Sequence, residues 1–107
     1  MHPNNVKKVL LRKEDIVDGR VQMVNWAKLP VGKSFHAHFH EDMQEVFIMV
    51  KGKAEMTKGK EKEKVGSGDC VVVPIKEIHQ LANIGNEDVE YIVFGIAMGK
   101  GGKTIMI

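Results

Sequence analysis

His36, His38 and His40 stand two residues apart in the stretch GKSFHAHFHEDMQEVFIMVKG, between Gly32 and Gly52, and Glu45 follows after a short polar turn. Along an extended chain successive side chains alternate between faces. The three imidazoles are therefore expected on one side of a strand, and Glu45 can return to that side from the next strand. A second stretch, GDCVVVPIKEIHQLAN from Gly68 to Asn83, adds His79 after an apolar strand and a proline. Four of the five histidines fall in these two stretches, which outlines a metal site. Neutral imidazole nitrogens with a carboxylate oxygen are borderline-to-hard donors. They suit Mn, Fe, Co, Ni, Cu or Zn, and not Ca or Mg, which prefer all-oxygen shells.

The elements that must position these residues read as strands. Val6 to Leu11 is expected to be a short strand, and Asp18-Gly19 a turn. Arg20 to Leu29, RVQMVNWAKL, is rich in β-formers, lacks a helix cap and ends at Pro30 and Gly32. Ser34 to His40 carries the histidines. Glu45 begins the next strand, EVFIMVKG, whose two faces are both apolar, as in a strand buried between layers. KAEMTKGKEKEKV reads as a solvated hairpin around Lys58-Gly59, its lysines and glutamates discouraging edge pairing. CVVVP and HQLANI are further strands, and VEYIVFGIAM is a long one after a turn at Gly85-Asn86. Ile105 to Ile107 either adds a strand to a partner subunit or hangs loose. Short, evenly spaced strands without a 3.6-residue period predict an all-β barrel or sandwich.

Length and charge narrow the class. A chain of 107 residues holds one domain, 1–107, with a barrel core over about 20–98 and no internal repeat. Sixteen basic and fourteen acidic residues are interleaved, for a net charge of +2, so no basic face points to nucleic acid or an acidic membrane. No apolar run approaches the roughly 20 residues that span a bilayer. One cysteine, Cys70, cannot form an internal disulfide and reads as a small core residue, and the N-terminus lacks a signal-peptide pattern. A soluble cytoplasmic protein is the expectation.

The same residues resemble the cupin family. Its first motif is glycine, five residues, His-x-His, three or four residues, glutamate, six residues, glycine, matched here by Gly32, His38, His40, Glu45 and Gly52. Its second motif is glycine, five residues, Pro-x-Gly, two residues, histidine, three residues, asparagine, matched by Gly68, Pro74, His79 and Asn83. Lys76 stands where the family has glycine, which eases a tight turn before the histidine. The resemblance implies a double-stranded β-helix, or jelly-roll, barrel. It also implies one divalent transition metal on His38, His40, Glu45 and His79, with positions open to water, dioxygen or a bidentate oxygen substrate.

His36 lies outside the motif; sharing a face with His38 and His40, it is either the candidate catalytic proton carrier or a rim residue with no role. Gln44 is expected to face away from Glu45, and Asn83 to be structural. Phe47, Met49, Leu81, Trp26, Tyr91 and Phe94 are candidate pocket walls. A lysine at the cavity mouth could attract a carboxylate, although Lys76 reads more simply as solvent-facing. By resemblance the function is an enzyme of dioxygenase or decarboxylase type acting on a small oxygen-rich or carboxylated molecule, in a homodimer. A binding or sensing module, a sugar-type isomerase and a structural metal site are the alternatives.

Overall fold

The computed structural model describes residues 7–99 and 104–107. Among them the β-rich segments form strands β1 (Arg20–Leu29), β2 (His38–His40), β3 (Met43–Lys51), β4 (Lys53–Lys58), β5 (Glu61–Gly66), β6 (Cys70–Val73), β7 (His79–Asn83), β8 (Val89–Ala97) and β9 (Thr104–Met106). One sheet has the order β1-β8-β3-β6 and the other β5-β4-β7-β2-β9, with antiparallel pairing throughout. This is the expected jelly roll. Inward residues of the two sheets meet in one core that includes Leu29, Phe47, Met49, Met56, Leu81, Val89, Tyr91 and Val93. Alternation places the partners of these residues outside: in β7, His79, Leu81 and Asn83 are buried while Gln80 and Ala82 are half-buried. No helix among the described residues is long and apolar enough to cross a membrane.

The chain before β1 departs from expectation. Val6 lies outside the described residues, and the rest of the predicted strand to Leu11 has no ladder partner, giving way to a 3-10 turn at Lys13–Asp15. Its bonds are to isolated groups instead: Lys8 Nζ donates to the Gly68 carbonyl at 2.9 Å, and Val17 N–H to Gln44 Oε1 at 2.9 Å. The second bond lies on the outer side of β3, where Gln44 is buried, pointing away from Glu45 as expected. Other boundaries shift slightly. β3 begins at Met43, two residues before Glu45, and the β4–β5 turn centres on Gly59 and Lys60. The histidine strand is shorter than Ser34–His40. An isolated bridge joins Ser34 to Ala82, and regular pairing starts only at His38. The tail segment is not loose: β9 pairs with β2 of its own chain.

Backbone geometry explains the glycine positions of the two motifs. Gly52 turns the chain from β3 in one sheet to β4 in the other at φ +89, and a Cβ there would lie 2.8 Å from the Asp88 carbonyl oxygen. Lys76 also has a positive φ, +64, where an L side chain is disfavoured. It occupies the third position of a Pro74–Glu77 turn closed by Glu77 N–H to the Pro74 carbonyl, the place where a type II turn takes glycine. Its side chain is exposed, and its N–H donates to the His40 carbonyl at 2.8 Å. The left-handed conformation costs about 1–2 kcal/mol and glycine's added chain entropy about 0.5–1 kcal/mol. Lys76→Gly is therefore expected to stabilise the fold by about 0.5–1 kcal/mol. An unchanged or lower urea midpoint would contradict it.

Candidate metal centre

Two strands of one sheet supply the imidazoles and the opposite sheet supplies the carboxylate. His38 and His40, two apart on β2, share a face, and the β2–β7 register sets His79 directly opposite His38. Glu45 comes from β3, beside Gly95 of β8 and Val73 of β6. The potential ligand atoms of His38, His40, Glu45 and His79 all lie within 4.8 Å of one another. Three of these residues are buried, His79 at 1% exposure and Glu45 at 5%, and His38 is half-buried. His36 is not one of the four.

Hydrogen bonds orient the rings. His38 Nδ1 donates to the His36 carbonyl at 2.7 Å and His79 Nδ1 to the Glu77 carbonyl at 3.0 Å. His40 Nδ1 meets Thr104 Oγ1 at 3.0 Å. A carbonyl oxygen only accepts, so His38 and His79 carry their proton on Nδ1 and, when neutral, present a bare Nε2. His79 Nε2 then faces Glu45 Oε1 at 2.7 Å, and His40 Nε2 faces the same oxygen at 2.9 Å. Acceptors this close repel unless a proton or a cation joins them. The donor set therefore fits a divalent transition ion.

The electrostatics agree. Burial pushes the Glu45 carboxyl up, but hydrogen bonds and charge from His40 and His79 overcome it and hold the group at about 2. Burial lowers His38 below its ordinary 6.5; the bond to the His36 carbonyl opposes this, and nearby His79 and His40 add to it. A neutral imidazole is the form that binds metal. Burial, with the Glu45 charge second, raises the Tyr91 phenol, keeping it protonated. Cys70 is half-buried, and its thiol is raised by burial and by Asp15, so its place is in the packing.

Around the cluster, one residue missed by alternation matters. The Phe35 ring sits 5.2 Å from that of His38 and 5.8 Å from that of His79, and stacks on Phe47 at 6.1 Å. Residues 35–37 have no ladder pairing to enforce alternation, and Phe35 packs against the core. His36 is exposed and bonds the Ile107 carbonyl through Nε2. Period-two reading had put His36 on one face with His38 and His40. Phe47, Met49, Leu81 and Tyr91 are in the core, with Phe47 5.9 Å from His79. Trp26 is no pocket wall: it is 71% exposed on the outer face of β1, where its Nε1 donates to Glu90. Phe94, adjacent to the inward Val93, shares that outer side. Asn83 ties loops together, donating to the Leu29 and Glu87 carbonyls and accepting from Gly85 N–H.

Comparison with known proteins adds the following. Residues 25–95 match the model of the family described as Cupin domain. An uncharacterised protein of Methanocaldococcus jannaschii is 33% identical over 86 residues, covering 80% of this chain and 60% of the relative, so the chain spans less than two thirds of it. A Thermotoga maritima structure described as a predicted oxalate decarboxylase superposes with a TM-score of 0.71 at 26% identity, over 73% of this chain and 68% of that one. An uncharacterised Klebsiella pneumoniae protein with a double-stranded β-helix domain gives 0.72 at 18% identity, over 99% and 84% of the two chains, which bears on fold alone.

Proposed function

The chain belongs to the cupin family, and from that premise we propose that it is a metal-dependent enzyme acting on a small carboxylated or oxygen-rich molecule, of decarboxylase or dioxygenase type. The observation that carries the reading is the convergence of four donors within 4.8 Å, with a carbonyl or a hydroxyl at the Nδ1 of each ring. His38, His40, Glu45 and His79 would hold one Mn, Fe, Co, Ni, Cu or Zn ion, which when bound supplies a Lewis acid open to a substrate oxygen.

The chain's own residues do the rest. One carboxylate and three neutral imidazoles offset one of the ion's two positive charges, so the centre favours an anionic ligand. Phe35 and Phe47 line the cluster with apolar surface that excludes water, which strengthens that attraction. The likeness to a protein described as a predicted oxalate decarboxylase supports a small carboxylate as substrate.

Elemental analysis of protein purified without added metal or a chelating tag is expected to find close to one transition ion per chain. Oxalate and other small carboxylates are then assayed for carbon dioxide release and dioxygen uptake. Protein that neither carries nor takes up metal would overturn the reading, and metal without turnover would favour a binding role. The reading extends to a homodimer, supported by the exposed apolar row Val21, Val24 and Trp26 on edge strand β1. Sedimentation at micromolar concentration is expected to give twice the chain mass, and Trp26→Glu to shift it toward the monomer.

A further inference from the structure

The three imidazoles are not anchored alike. His38 and His79 each donate Nδ1–H to a backbone carbonyl two residues earlier in the chain, so their orientation is set locally. His40 instead depends on the hydroxyl of Thr104, 64 residues away on β9. β9 has three residues, lies at the edge of its sheet and, among the described residues, pairs only with β2, in the register Thr104 to His40, Ile105 to Phe39 and Met106 to His38. Its attachment is extended by Ile107 N–H to the Ala37 carbonyl at 3.1 Å and by the His36 ring to the Ile107 carbonyl. Little apolar surface backs these bonds, for Met106 is 57% exposed and Ile107 60%. Such an edge segment opens at low free energy.

We propose that Thr104 is a positioning residue for the metal ligand His40, and that β9 is a strap whose docking is coupled to metal occupancy. With Thr104 Oγ1 accepting the Nδ1 proton, the His40 ring is held in the tautomer and rotamer that offer Nε2 to the ion. With β9 detached, Nδ1 turns to water and the ring is free to flip. Linkage is reciprocal: whatever docking of β9 adds to metal affinity, metal adds to docking. His36 has its place here, as a clasp on the strap through Ile107.

This inference rests on the metal reading of the cluster. The test measures Co(II) and Zn(II) affinity by chelator competition, the visible Co(II) spectrum, and amide exchange at residues 104–107 with and without Zn(II). Thr104→Val is expected to weaken binding about 10–100-fold and alter the Co(II) spectrum. Thr104→Ser, which keeps the hydroxyl, is expected to restore both. In the wild-type chain Zn(II) is expected to slow exchange in β9, and in Thr104→Val to do so much less. A wild-type chain that binds Zn(II) no more tightly than Thr104→Val, or whose β9 exchange ignores the metal, overturns the coupling and leaves the metal reading intact. A wild-type chain that binds neither ion overturns both.

Discussion

His79→Ala is expected to empty the site, lowering bound metal from close to one ion per chain to less than about a tenth, a loss of affinity well beyond the 10–100-fold typical of outer-shell changes. No other histidine of the cluster is so central. It is the most buried of the four residues, makes the shorter of the two approaches to Glu45 at 2.7 Å, and packs its ring 4.5 Å from His38 and against both Phe35 and Phe47. Truncation removes a ligand and opens a void. A stability loss of about 2–4 kcal/mol should accompany it. Because that loss could be mistaken for its cause, metal is measured on protein shown to be folded by circular dichroism, with His36→Ala as the comparison. His36→Ala is expected to retain most of its metal, since the His36 carbonyl that accepts from His38 is kept and its side chain meets only the strap. Near-stoichiometric metal in folded His79→Ala would refute the ligand assignment.

Acid should destabilise the metal-free protein through Glu45. Its folded pKa of about 2 lies below the ordinary 4.5, so the folded chain holds the carboxylate charged where the unfolded chain has begun to protonate it. The stabilisation is complete above pH 4.5 and is lost as pH falls from there through about 2. A shift of this size corresponds to about 3 kcal/mol. Urea unfolding of the chelator-treated protein at pH 5 and at pH 2.5 measures the drop. Glu45→Gln, which cannot titrate, should lack most of it, and an equal drop in both proteins would assign the acid sensitivity elsewhere. Metal release is a separate event at higher pH, since protons compete with the ion for the imidazoles.

Local pattern carried far in this chain. Residues Arg20 to Leu29 are a strand with the expected bounds, and the β4–β5 hairpin lies one residue from its expected turn. Period-two alternation also foretold that His38 and His40 share a face, as do Phe47 and Met49, which the structure places in the core. The glycine intervals had a physical meaning as well. Gly32, Gly52 and Gly68 all have positive φ, and the exception, Lys76, adopts the same region despite its side chain.

What failed did so where alternation needs a ladder. The segment from Val6 was read as a strand from its residue types, but residues 7–11 find no neighbouring strand to pair with. Trp26 was offered as a pocket wall, and the β1–β8 register turns it outward. The sequence by itself determined the donor types, their intervals and the all-β class, because these follow from side-chain chemistry and from φ/ψ preferences a few residues wide. Only the tertiary structure decided that Phe35 and not His36 enters the site, that His79 lies opposite His38, and that β9 returns to hold His40 through Thr104. Those are matters of register and of where pairing stops. They depend on strands far apart in the chain, which no local period records.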